Sequence, residues 1–273
     1  MKKIFGIFVV GVGLLVGTGG SAWSQASVRH DKFQHGRAHY HVAVANLSCD
    51  TISVETIHEP GLSNAWTLTA RTAPAVALTG TFFDPRTGTP VGDVLVDGEL
   101  TAQGARGSVL AVDEKGRVQI FDSGYKQRLD WTGFRFGLRG LVRVIRDGVV
   151  CPDPKSQKFR DSRIWGRAAR TAAGITEDGR LVLMATRNSV TLSELGRAMK
   201  TRAVVDAIAL DGGGSTCFYY RGEMLIKPQR RLSNMLIVRE GGRPRDVFEV
   251  AAESNPLRGF PAWYETSGWY RSR

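Results

Sequence analysis

Histidine is confined to the first fifth of the 273-residue chain: its five copies stand at 30, 35, 39, 41 and 58. Any histidine-dependent chemistry must therefore recruit that N-terminal segment. Cysteine is scarcer still. Cys49, Cys151 and Cys217 are widely spaced, and no Cys-x-x-Cys or Cys/His zinc spacing occurs, which argues against a structural zinc site. An odd number allows one bridge in an oxidising compartment and leaves one thiol over. Cys217, beside Phe218, reads as a small buried hydrophobe rather than a nucleophile. Past residue 16 no long uncharged apolar run exists, so no later membrane span is expected. Acidic residues are also in deficit: 26 Asp plus Glu face 37 Lys plus Arg, a formal charge of +11. No nucleic-acid-binding motif accompanies that charge, and no nucleic-acid partner is expected. With 42% hydrophobic and 23% charged residues, the composition is globular and excludes disorder, collagen and coiled coil for the whole chain.

What is present divides into four stretches. Residues 1–26 join Lys2 and Lys3 to an apolar run from Ile4 to Val16, a glycine break, and small residues ending at Ala26. That is the order of a secretory signal, so an exported protein, periplasmic or secreted, is expected. Removing it takes away two lysines and no acid, leaving +9. Residues 27–39 are polar and basic and read as a flexible arm. Residues 40–240 hold the folded domain, and 241–273 an irregular basic and aromatic tail.

Within the domain, Tyr40, Val42 and Val44 alternate as a strand does, and Ile52, Val54 and Ile57 suggest another. Residues 64–73 suit a helix ended by Pro74, followed by a strand over 75–78. Two hairpins are expected, 109–121 around Asp113-Glu114-Lys115-Gly116 and 172–185 around Glu177-Asp178-Gly179-Arg180. Further strands are expected over 141–145, 207–210, 217–220 and 236–238, with a long surface loop over 151–166. Thr191 and Glu194 form a capping-box pair opening a helix to about Lys200. The expected class is α+β, a single domain of mixed, largely antiparallel β-sheet with a few packed helices.

Three motifs concentrate the chemistry. Asp211-Gly212-Gly213-Gly214-Ser215-Thr216 follows a buried strand, and a glycine run there suits positive φ or close approach of a ligand. It is no Walker loop, because no Gly-Lys-Ser/Thr follows, and Cys217 stands where a GxSxG elbow needs its last glycine. Arg170 opens the segment Arg170-Thr171-Ala172-Ala173-Gly174, and Arg230-Arg231-Leu232-Ser233-Asn234 precedes the last apolar strand. A fourth, looser feature is Thr79-Gly80-Thr81-Phe82-Phe83-Asp84. In this order the motifs resemble the phosphodiester glycosidase family over roughly residues 40 to 240. Where that family has Asn-Gly-Gly, this chain has Thr79-Gly80-Thr81, and a threonine hydroxyl cannot copy both groups of an amide.

The resemblance implies cleavage of a sugar, of the N-acetylglucosamine type, from a glycosyl-1-phosphodiester or anionic phosphoglycan. It implies Asp211 as the leading carboxylate, Asp84 as the second, and Arg170 with Arg231 as a phosphate clamp. Asn234, Thr79, the backbone of Gly212, Gly213 and Gly214, and the hydroxyls of Ser215 and Thr216 become substrate contacts. No metal and no cofactor are expected. Two alternatives stay open: a phosphoglycan-binding protein without activity, and a metal-assisted phosphodiesterase. The histidine distribution favours carboxylate and arginine chemistry over a serine–histidine triad, with His41 and His58 as packing residues.

Overall fold

A computed structural model describes residues 27–241. The expected signal segment and all but the first residue of the expected C-terminal tail lie outside the described residues. In chain order the strands open with β1 (Val28–His35), β2 (Ala38–Ala45) and β3 (Ile52–Ser63), then helix α1 (Ala65–Thr72) and β4 (Val76–Thr79). Next come β5 (Val94–Val96), β6 (Glu99–Ala102), β7 (Ser108–Asp113), β8 (Val118–Phe121), β9 (Phe134–Arg146) and β10 (Val149–Val150). A short helix α2 (Ser162–Trp165) precedes β11 (Ala168–Thr176), β12 (Leu181–Val190) and helix α3 (Leu192–Lys200). The chain closes with β13 (Val204–Leu210), a 3₁₀ turn (Gly213–Ser215), β14 (Phe218–Tyr220), β15 (Glu223–Ile226) and β16 (Leu232–Glu240).

These strands form two antiparallel sheets. The larger runs β1-β2-β12-β11-β13-β9-β5-β6, with β7, β8 and β10 attached through β9; the smaller runs β15-β14-β4-β16-β3. Strand alternation explains how they stack. Leu181 and Leu183 of β12, and Ile208 and Leu210 of β13, share one core with Val76 and Leu78 of β4 and Leu236 and Val238 of β16. Their neighbours Val182, Met184, Ala207 and Ala209 point the other way, onto Leu192, Leu195, Ala198 and Met199 of α3. On the far side of the small sheet, Ala77, Met235 and Ile237 meet Ala65 and Leu68 of α1. The order is therefore helix, small sheet, large sheet, helix. Strands covered on both faces read as continuous apolar runs, as Leu181–Ala185 and Ala207–Leu210 do.

The expected α+β class stands, as one domain. Asn64 caps α1, its side chain accepting from the Trp66 N–H, and Ala73 closes it in the left-handed conformation. The α3 capping box is complete: Thr191 Oγ1 accepts from the Glu194 N–H, and Glu194 Oε2 accepts from the Thr191 N–H. One expectation is overturned. Residues 27–39 are no flexible arm, because β1 pairs with β2 from Val28↔Ala45 to His35↔Ala38. It reads as polar because Asp31, Lys32 and Gln34 face solvent at the sheet edge, while Val28 is buried. Inward, the His30 ring lies 5.0 Å from Tyr220 and Phe33 lies 5.4 Å from Tyr40. All three cysteines are free thiols, and burial pushes Cys217 up to about 12, as befits a packing residue.

Candidate active site

The three motifs meet at the C-terminal end of β4. The Asp211 N–H donates to the Gly80 carbonyl at 2.9 Å, and the Gly80 N–H donates to the Asn234 carbonyl at 3.1 Å. Asn234 Oδ1 accepts from the Thr81 N–H at 2.6 Å, while its Nδ2 donates to the Thr81 carbonyl and to Ser233 Oγ. Thr79 Oγ1 donates to the Ser215 carbonyl. A Cβ on Gly80 would lie 2.2 Å from Asn234 Oδ1, so only glycine fits that crossing. Segments far apart in sequence are thus tied by short hydrogen bonds into one rigid frame.

This frame reassigns several expected contacts. Thr79 and Asn234 are fully buried and their polar groups are spent on the frame, so they hold the site rather than touch a ligand. Ser215 and Thr216 are buried as well. The Ser215 hydroxyl bonds the Asp211 carboxylate, and Thr216 Oγ1 has no partner among the described residues. Asp84 is a turn residue: Oδ1 accepts from the Arg86 N–H at 2.8 Å, and that bond, with the Arg86 side chain, holds its carboxyl below the usual range. Asp84 is not among the residues lining the cleft. Arg231 points to a separate surface hollow beside Trp66, and its neighbour Arg230 enters the site.

Around the frame opens a cleft of about 530 Å³. Asp211 and the backbone of Gly212, Gly213 and Gly214 line it, as expected, beside Phe82 and Phe159, whose rings meet edge-on at 5.6 Å. Gly213 needs its φ of +57° to make the turn, and a Cβ on Gly212 would strike the Ala169 carbonyl at 2.6 Å. Six arginines surround the opening: Arg106, Arg160, Arg163, Arg167, Arg170 and Arg230. Two are spoken for at the rim, Arg163 by Asp161 and Arg167 by Glu194. Arg170 differs from them. It is buried at 4% exposure, donates to the carbonyls of Val190, Arg163 and Gly166, and has no carboxylate partner among the described residues. Burial pushes its pKa down to about 10, so it keeps its charge at neutral pH.

Asp211 is the one half-buried carboxylate among the described residues lining the cleft. Burial lifts its pKa to about 6, against the Ser215 hydroxyl, the Gly212 N–H and the charges of Arg230 and Arg163. The Gly212 N–H donates to Oδ1 at 2.8 Å and fixes the carboxyl plane. His41 and His58 stay outside the cleft: His41 Nδ1 pairs with His30 Nε2 at 3.0 Å, and His58 Nδ1 with Thr101 Oγ1 at 2.9 Å. Sequence reasoning missed Arg160, Arg163 and Arg167, and within the Arg230-Arg231 pair it chose Arg231 for the site. A signal existed for the first three: with Arg170 they are spaced three, four and three residues apart, and so fall within one another's reach where the chain coils.

A half-buried carboxylate among arginines, on a frame of two antiparallel sheets, is an arrangement able to hold an anionic ligand against a carboxylate oxygen. Residues 72–239, more than half of the chain, match the family model described as Phosphodiester glycosidase, and the chain belongs to that family. It is similar to N-acetylglucosamine-1-phosphodiester alpha-N-acetylglucosaminidase of Mus musculus, 27% identical over 170 residues, covering 56% of this chain and 33% of that protein. The Homo sapiens protein of the same name is 28% identical over 178 residues, covering 59% and 35%. The chain spans about a third of the length of these curated relatives. Among solved structures, the zebrafish catalytic domain of that name, auto-inhibited by its pro-peptide, superposes with a TM-score of 0.63 at 20% identity, covering 78% and 82%. A hypothetical protein from Synechocystis gives 0.57 at 16% identity, covering 77% and 61%. At these identities the two structures share the fold.

Proposed function

We propose that the chain is an exported glycoside hydrolase that releases a sugar, of the N-acetylglucosamine type, from a glycosyl-1-phosphodiester, leaving a phosphomonoester. One observation carries the reading: Asp211, the one half-buried carboxylate lining the cleft among the described residues, shares it with Arg170 and Arg230, neither of which has an ion-pair partner there. Glycosidases commonly need two carboxylates, one to protonate a poorly departing alcohol. A phosphomonoester with a second pKa of about 6 departs without that help. One carboxylate and a cationic clamp then suffice. Arg170 and Arg230 neutralise the departing phosphate, where the planar guanidinium matches two oxygens. Asp211 faces the positive charge growing at the anomeric carbon, as nucleophile or as base for water. Phe82 and Phe159 offer an apolar wall for the sugar ring.

The test is turnover of a GlcNAc-1-phosphodiester by the refolded chain, followed as reducing sugar. Asp211→Asn and Arg170→Ala should each lose nearly all of it, with folding verified by circular dichroism. Normal turnover in Asp211→Asn sinks the mechanism. Binding without sugar release would instead support the phosphoglycan-binding alternative. For export, the reading expects a mature N-terminus at Ser27, where the described fold begins and where Ser27 Oγ bonds Glu240 at 2.6 Å. Mass spectrometry of the protein recovered from its native compartment decides it.

A further inference from the structure

A second hollow, of about 690 Å³, lies beside the cleft between the β1–β2 turn and α3. Its margin carries Arg37, from the turn, and Arg197, from α3. Both are exposed, and neither forms a hydrogen bond or ion pair among the described residues. The two hollows share Arg167, whose guanidinium donates to the Ser189 carbonyl at 2.8 Å and pairs with Glu194. Arg170, at the back of the cleft, donates to the carbonyl of Val190, which also lines the second hollow. Arginines thus line both hollows, Arg160 and Arg230 in the cleft and Arg37 and Arg197 in the second, with the ion-paired Arg167 on the ridge the two share. Among the described residues, the only acids lining the two hollows are Asp211, Asp161 and Glu194, and the last two already pair with Arg163 and Arg167.

One small phosphodiester does not account for this reach. Pockets of about 300–1,000 Å³ each enclose one drug-sized ligand, and this surface offers two such volumes end to end. We infer that the track binds an extended phosphoglycan, with one glycosyl phosphodiester at Asp211 and the next phosphate of the same chain held by Arg37 and Arg197. This rests on the glycosidase reading and adds to it the polymeric character of the substrate. A nucleic acid fits less well: Tyr40 is buried, so the half-exposed imidazole of His35 is the one ring among the described lining residues on which a base could stack.

The probes are a methyl GlcNAc-1-phosphodiester and a synthetic tetramer of GlcNAc units joined by 1-phosphodiester links. For the full chain at low salt, kcat/KM per cleavable bond should favour the tetramer by about tenfold, an advantage that fades with added salt. Arg37→Ala/Arg197→Ala should bring the tetramer-to-monomer ratio toward one, and Arg37→Lys/Arg197→Lys should keep most of it. A ratio near one in the unmodified chain, or one unchanged by the alanine pair, overturns the track. A single-stranded oligonucleotide with the same number of phosphates should compete poorly; equal competition also overturns it. Failure of both substrates to turn over would sink the glycosidase reading alone. Calorimetric titration of Asp211→Asn with tetramer and monomer then still decides the track, which requires tighter tetramer binding that the alanine pair abolishes.

Discussion

Asp211 is held where its charge is expensive. Burial lifts its pKa from 3.8 to about 6, so the folded state carries a penalty that grows as pH rises from the lower value through the higher. Asp211→Asn removes that penalty. The variant should melt higher than the parent at pH 7.5, by on the order of 1–2 kcal/mol, and the gain should vanish near pH 4. The same substitution should cost about a thousandfold in kcat. In the proposed mechanism the carboxylate is the active form, so kcat/KM of the parent should rise through an acid limb near pH 6 and then level. A limb at pH 4 would place another group in that role. Asp84, engaged in its own turn with Arg86, predicts the opposite: Asp84→Asn should leave kcat within about threefold. The division between these aspartates was partly legible in sequence, since glycines follow Asp211 and Pro85 follows Asp84. The division between Arg230 and Arg231 was not. Both arginines border the hollow beside Trp66 and only Arg230 also reaches the cleft, a distinction that rests on the irregular turn before β16 and leaves no pattern in the sequence.

At the scale of elements, local chemistry decided what was readable. Both longer helices announce themselves through their caps, Asn64 and the Thr191–Glu194 pair, and the two hairpins through their glycine turns. Thr191→Ala removes a cap that α3 needs to cover the large sheet, and should cost about 1 kcal/mol in thermal or urea unfolding. β1 was unreadable because seven of its eight side chains keep some exposure to water, and of its two inward rings, His30 and Phe33, the first is polar. β9 was legible only over its apolar half. Its other half carries Arg135, Gly137, Arg139 and Gly140, and Arg139 is fully buried, donating to the Gly104, Gln127 and Gly124 carbonyls. No periodicity marks such a residue as interior. The His30–His41 pair adds a testable consequence. Burial, then the neighbouring His30 and Lys32, push His41 down to about 4, and burial lowers His30 as well. A depressed histidine is neutral when folded and gains its proton on unfolding, so stability present above about pH 6.5 should be lost as pH falls toward 4. His41→Gln should flatten that slope in melts recorded from pH 7 to 4.5; an unchanged slope removes the pair from the account.

At the scale of the whole molecule, the charge of +11 is spent unevenly. Many arginines are tied to carboxylates, yet Arg160, Arg170 and Arg230 face the cleft without an ion pair among the described residues. That arrangement draws anions to the site, and raising salt from 20 to 300 mM, about a fourfold shortening of the screening length, should raise KM several-fold with little change in kcat. The layering matters for the same reason. Two sheets packed face to face hold the ends of β4, β13 and β16 together, and so keep the half-buried Asp211 carboxylate beside its glycine turn. The central claim is that the bond broken joins oxygen to the sugar's anomeric carbon, with Asp211 facing that carbon. Hydrolysis of a GlcNAc-1-phosphodiester in ¹⁸O-water tests it most directly. The account predicts the label on the released sugar, in its anomeric hydroxyl, and none in the phosphomonoester. Label in the phosphate would mean attack at phosphorus and would contradict it.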